Sequence, residues 1–414
     1  MTSKKITSWG NNFTKKVDII KPSLVIGLPI GNENSYGDAF MPLSDKAFKS
    51  EKNKQIDERK IISNMSIENF LRNSNNGLFG IPGKSNVTIG GAIASDTHGK
   101  DNVWGGSFAS NVKSLDIRLP SGEVIEANKE KNTEIFTSTI GGYGLTGTIL
   151  DCKLENNCKI ESTYLKKVSL GEGIDNLTKV TTFEKNVYWV GWIDLLSRNK
   201  KWVSEKFFPI NSKKIEINSK QEKQLNISAP LIGTNTFGIM SLINNIFYLK
   251  NSYIKSSKIN HEDVLYPLGR WTDTRNISKN RKIIQIQFSI PKESSKHLNE
   301  LIDILCFRQN PILCSIKRIS NPKKYNNLSF HMEGWTLAVD FPLDRFDFDE
   351  VDNFINKLIQ YNGKIYLAKD SILKEKQFKE MYPEFTHWEK IVKQIDPNNY
   401  YQSLLSKRLG LKKW

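Results

Sequence analysis

The stretch FGIPGKSNVTIGGAIASDTHGKDNVWGGSF, residues 79–108, packs seven glycines and a lone histidine, His98, into thirty positions with few strong helix formers. Glycines and small side chains at this density expose consecutive backbone N–H groups, and such a run forms a concavity suited to an anion such as a pyrophosphate. GGAIASDTHGK at 90–100 fits this best, so the segment is expected to be held by backbone contacts. A lone histidine is most often structural, but His98 lies between Thr97 and Gly99 and has no apolar face to fill. A second loop, GNENSYGD at 31–38, follows a short apolar run broken at Pro29 and obeys the same logic. Two such loops imply one long ligand carrying two phosphates.

Outward from these loops the pattern is mixed. SIENFLRN reads as a helix started by Ser66, and VKSLDIRLPSGEVIEA at 112–127 reads as a hairpin turning at Pro120–Gly122. EIFTSTIGGYGLTGTILDCKLE at 134–155 reads as a helix, a glycine knot and a strand. The knot matches GxGxxG at Gly142–Gly147, but a dinucleotide site needs a strand before it and a helix after it, and here the order is reversed. What remains is that its glycines let the backbone approach a flat or anionic group closely. From about residue 161 the alternating runs NVYWVGWIDLL, KIIQIQFSIP and GWTLAVDFPL interleave with charged helices such as SSKHLNELIDIL, the pattern of an antiparallel sheet covered by helices. Residues 212–227 and 249–263 read as surface loops, GKIYLAKDS at 363–371 as strand-like, and the remainder as helices.

The chain has 414 residues, too many for one ordinary core. Sixty Lys and Arg against 44 Asp and Glu give a net charge of +16, which favours an anionic partner: nucleic acid, an acidic membrane face or a phosphorylated ligand. The aromatics sit in strand patterns rather than between Arg/Lys stripes, which argues against nucleic acid. Four cysteines (Cys152, Cys158, Cys306, Cys314) with no CxxC pair argue against a disulfide scaffold or a zinc clamp and for reduced thiols in a cytosol. No apolar run is long enough for a signal peptide or a membrane span, so peripheral association through the basic excess is the only membrane role expected.

GNENSYGD at 31–38 and PGKSNVTIGGAIASDTHGK at 82–100 look like the two pyrophosphate loops of the FAD-binding proteins of the vanillyl-alcohol-oxidase, PCMH-type, superfamily. Within it the chain resembles most the decaprenylphosphoryl-β-D-ribose 2'-oxidases, through IGGYGLTGTI, YWVGWIDLL, QIQFSIP, LSFHMEGWTLAVDFP, IYLAKDS and MYPEFTHW, which span the chain in order. The resemblance implies an α+β, two-domain FAD-binding PCMH-type fold with an antiparallel-sheet substrate (cap) domain. FAD binding would occupy 1–160, the cap 161–362, and 363–414 would return to the FAD-binding domain. By the same resemblance Gly31, Asn32, Asn34, Ser35, Tyr36 and Gly37 line the diphosphate from one side. Thr88, Gly90, Gly91, Ala94, Ser95, His98, Gly99 and Ser107 line it and the ring edge from the other, and Ile149 covers a ring through its backbone. Several members link FAD to a histidine in the first loop. Asn34 stands there, and no other histidine or cysteine lies in that loop, so noncovalent FAD is expected.

The resemblance further places Lys369 at the flavin face with Tyr366 beside it, and Trp192, Gln285, Gln287 and Lys317 around the substrate. Either His98 or Lys369 would be the base that takes the hydroxyl proton. The implied activity is oxidation of a secondary sugar hydroxyl, the 2'-OH of a polyprenyl-phosphoryl pentose, to a keto sugar. This is half of an epimerisation towards an arabinose donor for cell-wall polysaccharide, completed by a short-chain reductase. A cytoplasmic enzyme, peripheral at the inner membrane face, would meet that lipid-linked sugar phosphate. Three features depart from the pattern: Ala338 replaces a cysteine of mycobacterial members, GRWTDTRN at 269–276 replaces a more aromatic loop, and 42–66 matches poorly. Two alternatives stay open, an oxidase of a soluble polyol or aldonolactone and a non-catalytic basic binding protein on an FAD-type fold.

Overall fold

The computed structural model describes residues 2–20, 27–49, 61–74, 77–155, 161–210, 236–266, 282–320 and 327–413. The departure at 269–276, the loop 212–227 and residues 50–60 of the departure at 42–66 fall outside these residues, as does Cys158. The described chain is α+β, built on three sheets. A four-stranded sheet runs in the order Thr2–Thr7, Thr14–Ile20, Lys46–Phe48, Leu28–Pro29. A second runs Ile61–Ile62, Thr148–Leu154, Val112–Arg118, Val124–Asn128. The third has eight strands, all antiparallel: Ser256–Asn260, Thr163–Glu172, Lys201–Ile210, Tyr188–Ile193, Leu313–Ile319, Gly334–Pro342, Ile283–Pro291 and Lys364–Ile365.

Period-two alternation gives the large sheet two unlike faces. Ile284, Ile286, Phe288 and Ile290 point one way and join Ile316, Leu337 and Val339 in the largest apolar cluster. The helices Leu298–Cys306 and Phe348–Gln360 cover that face with Leu298, Leu301, Leu305, Phe354 and Leu358. Gln285, Gln287 and Ser289 therefore point the other way, and the register carries that side through Ala338 and Ser315 to Trp192. Further along it Tyr188, Val190 and Phe207 join the apolar cluster built on the second four-stranded sheet. The C-terminal chain returns to the beginning: Pro42 bridges Ser403, Leu404 N–H donates to Met41 O at 2.8 Å, and Trp388 Nε1–H donates to Ser138 O at 3.0 Å.

Three local expectations change. IGGAIAS is a helix, Ile89–Ser95, although its glycines disfavour one. Thr88 caps it by accepting from Gly91 N–H, Asp96 ends it with φ 42°, and burial of Ile89, Ala92 and Ile93 outweighs propensity. Gly90 is required there, because a Cβ would come within 2.8 Å of Ser63 Cβ. Residues 249–263 are not a surface loop but the end of the helix Thr236–Tyr253, the strand Ser256–Asn260 and the helix His261–Leu265. In IYLAKDS only Lys364–Ile365 pairs as strand; Lys369 and Asp370 N–H both donate to Tyr366 O, turning the chain.

Candidate active site

One cleft gathers segments far apart in sequence. It is lined by Gly31 and Ser35 of the first loop, Thr88, Gly90, Gly91, Ala94 and Ser95 of the Ile89–Ser95 helix and its cap, and Ile149. Pattern reasoning on individual residues missed Pro29, Ile30, Ala39, Phe40, Phe48, Ser63, Asn64 and Thr148. Tyr143, Gly144 and Gly147 also line it, and the glycine knot was their only signal. The knot is stitched onto the helix by Gly141 N–H to Ile93 O, 3.0 Å, and Tyr143 N–H to Ala94 O, 2.9 Å.

The expectation of exposed N–H groups in GGAIAS is corrected. Ile89 N–H donates to Met65 O, Gly90 to Ser63 O, Gly91 to the Thr88 hydroxyl and Ala92 to Thr88 O. The glycines instead make a smooth wall: a Cβ on Gly91 would meet only Thr88 Oγ1, at 2.9 Å, before open space. The unengaged donors belong to the first loop, since among the described residues no backbone N–H from Gly31 to Gly37 donates a hydrogen bond. Gly31 and Ser35, whose backbone N–H groups are unengaged among the described residues, line the same cleft as the glycines of the helix, and such a pairing of donors with a small-residue wall suits a diphosphate.

The remaining residues of the two loops lie outside the cleft. Asn32 and Asn34 both donate through Nδ2 to Asn86 O, at 2.7 and 3.3 Å, and leave Asn34 Oδ1 and Asn86 Oδ1 without partners among the described residues. Gly37 packs on the Lys369 turn, where a Cβ would fall 1.8 Å from Asp370 O, and Gly99 packs against Asp101. Ser107 pairs with His98 in an isolated bridge.

Both walls of the cleft lead to the polar side of the large sheet. Tyr366 OH donates to Ser95 O at 2.7 Å, and the Ser35 hydroxyl bonds to Ala368 O, which brings Lys369 to the end of the first loop with Nζ 4.3 Å from the centre of the Tyr36 ring. His98 lies edge-on to Tyr366 with ring centres 5.7 Å apart, and Gln287 Nε2 stands 2.7 Å from His98 Nε2. Gln285 Nε2 donates to Asp340 Oδ1 at 2.5 Å. Gln285, Gln287, Asp340, Lys317 and Trp192 share that side through the strand register. Trp192 stands farther along it, its Nε1–H donating to Glu205 Oε2 at 3.3 Å.

The hydrogen bonds fix the state of His98. Thr336 Oγ1 donates to Phe288 O at 2.9 Å, so it accepts from Gln287 Nε2 at 3.2 Å, and the same amide nitrogen donates to His98 Nε2. The proton therefore resides on Nδ1, a buried N–H with no partner among the described residues. Burial, then the positive charges of Lys317, His331 and Lys369, hold His98 well below its usual pKa, so it is neutral.

The charged groups are displaced too. Lys369 is lowered to about 8 by desolvation, with Asp340 pulling it up and Lys317 down. Lys317 is also lowered to about 8 by desolvation, partly offset by Asp101. Burial raises Asp340 to about 6 against its bond from Gln285. Neither Lys317 nor Lys369 has an ion-pair partner among the described residues. One arginine that sequence reasoning missed holds the site's edge together. Arg408 grips Asp38 through Nε at 2.9 Å and a second nitrogen at 2.8 Å, and Asp370 at 2.9 Å, clamping the end of the first loop to the turn that carries Lys369.

Comparison with known proteins agrees with this geometry. A family described as D-arabinono-1,4-lactone oxidase matches residues 340–409, the span from Asp340 through Lys369 to Arg408. The chain is similar to a decaprenylphosphoryl-beta-D-ribose oxidase of Mycolicibacterium smegmatis, 27% identical over 350 residues, which cover 80% of this chain and 75% of that protein. It is also similar to an uncharacterized protein from the mprA 5' region of Streptomyces coelicolor, 21% identical over 359 residues, 80% of this chain and 95% of that one.

Proposed function

We propose that this chain, an FAD-dependent oxidoreductase acting on CH–OH groups, oxidises the 2'-hydroxyl of a polyprenyl-phosphoryl pentose to the keto sugar. The observation that carries this reading is the pair of desolvated ammonium groups, Lys317 and Lys369, on the polar side of the sheet without a carboxylate in contact among the described residues. Two such cations favour an anionic ligand, and a sugar phosphate supplies the charge that a neutral polyol lacks. FAD would be held noncovalently, because Asn34 offers no nucleophile for a bond to the ring. The backbone N–H groups of Gly31 and Ser35 would take the diphosphate, and Gly90, Gly91 and Ala94 would form its wall.

Bound flavin supplies the two-electron acceptor for the hydride. The chain must take the hydroxyl proton and orient the carbon. Lys369, lowered to about 8, is mostly ammonium at neutral pH but keeps a fraction of free amine, and that free amine accepts the proton at Nζ. His98 has its Nε2 lone pair engaged by Gln287, so it orients by donating from Nδ1–H and is not the base. Lys317 binds a phosphate oxygen, and Gln285 holds Asp340, whose charge tunes Lys369. A short-chain reductase would consume the keto sugar at the cytoplasmic face of the membrane.

Anaerobic addition of a polyprenylphosphoryl ribose should bleach the flavin absorbance of the purified protein, while a simple polyol leaves it unchanged. Flavin that stays oxidised with the lipid-linked sugar overturns the substrate. The match to the lactone-oxidase family favours a second reading, a soluble aldonolactone, and bleaching by arabinono-1,4-lactone would select it.

A further inference from the structure

Of the twelve large apolar side chains exposed among the described residues, seven fall between Leu242 and Ile254, so the exposed apolar surface is concentrated on one helix, Thr236–Tyr253, and its immediate end. Leu242, Ile246, Leu249 and Tyr253 recur at helical spacing and are 59, 56, 55 and 85% exposed. Two of the helix's asparagines are turned inward. Asn244 Nδ2 donates to Asp194 Oδ1 at 2.7 Å, and Asn251, 6% exposed, donates to Phe247 O at 2.9 Å. Asn244 and Asn251 thus face the protein while the leucine, isoleucine and tyrosine stripe faces away, with Asn245 exposed beside it.

A helix in water gains by the opposite arrangement, so its outer surroundings are apolar when the protein works. Charge narrows the choice. Residues 236–261 contain no Asp or Glu, and Lys250, Lys255 and Lys258 are exposed beside the apolar stripe. No helix of the described chain is long and apolar enough to cross a membrane, so the fitting geometry is one lying in the interface. We propose that the helix Thr236–Tyr253 seats the protein on an anionic lipid bilayer, its leucine and isoleucine stripe in the acyl boundary and its lysines on the headgroups. Phe247 meets the Trp192 ring edge-on at 6.4 Å, so the bilayer contact adjoins the polar side of the sheet.

This surface is independent of which sugar is oxidised. The flavin-loaded protein is sedimented with vesicles of equal parts phosphatidylglycerol and phosphatidylcholine, and with phosphatidylcholine alone. Binding is expected to the anionic vesicles. The triple variant Leu242→Ser, Ile246→Ser, Leu249→Ser should partition at least about tenfold less at unchanged flavin content, a loss of about 1.4 kcal/mol. Lys250→Gln, Lys255→Gln, Lys258→Gln should remove the preference for the anionic vesicles. Vesicle binding that the serine variant leaves unchanged, or no binding by the parent protein, overturns the proposal. So does a vesicle-free dimer that the serine variant dissolves, which would assign the face to a second copy of the chain. Vesicle binding without flavin bleaching by the lipid-linked sugar would keep the surface and remove the substrate.

Discussion

The two sides of the strand Ile283–Pro291 are made from alternate residues of one short run, yet they serve opposite ends. On one side Ile284, Ile286, Phe288 and Ile290 are nearly or fully buried against the covering helices. On the other, Gln285 and Gln287 reach Asp340 and His98. The first side is held by burial, at roughly 25 cal/mol per Å² of apolar surface removed from water. The second spends stability on groups poised for a ligand. The same contrast separates the buried cations. Lys412 is paired with Asp396 and Arg408 with Asp38 and Asp370, whereas Lys317 and Lys369 have no carboxylate in contact among the described residues. The Arg408 pairs staple the C-terminal chain to the first loop, the Lys412 pair ties the C-terminal chain to itself, and the two unpaired lysines are the ones the proposed function uses.

The sharpest way to break this contrast is Lys369→Met. Flavin reduction by substrate should fall about 10²- to 10⁴-fold, the usual worth of a positioned acid or base, while flavin content and Tm hold, since an unpaired desolvated charge has been removed. Stopped-flow absorbance and a thermal melt on the same sample check it, and a variant that loses both together would make Lys369 structural. Phe288→Ala, one residue from Gln287 and packed on Phe354 at 5.1 Å, should do the reverse. It should cost about 3–5 kcal/mol in a denaturant titration and leave the pH profile of the folded enzyme unchanged.

The smallest effect is on that profile. As the proposed base Lys369 acts unprotonated, so the rate of flavin reduction should rise with pH through about 8, and as the proposed phosphate ligand Lys317 acts protonated, so substrate affinity should weaken above about 8. Asp340 raises the Lys369 pKa, so Asp340→Asn should move the rise to lower pH, by about one unit. A rise that stays near 8 in the variant would separate Asp340 from the proton transfer.

The alternating strands and amphipathic helices were legible because burial imposes a period. QIQFSIP declares its two faces without any partner in view, and Ser66 announced its helix by the cap it forms. The two glycine loops were legible as ligand walls, but their division of labour was not. Whether a glycine N–H is free depends on an acceptor such as Ser63 O, 27 residues away in sequence, and no local pattern records it. The outward stripe of the helix Thr236–Tyr253 was hidden for the same reason, since composition shows that a helix has an apolar side but not which way it faces.

By itself the amino-acid order determined the α+β texture, the strand faces, the two close-approach loops and the residue types a flavin oxidoreductase needs. Only the tertiary structure decided which N–H groups are engaged, that His98 is buried against Gln287 while Lys317 and Lys369 are desolvated, and that Arg408 ties the first loop to the Lys369 turn. The reason is physical: propensity and periodicity act over a few residues, whereas desolvation and hydrogen-bond direction depend on neighbours that the chain brings together only when it folds.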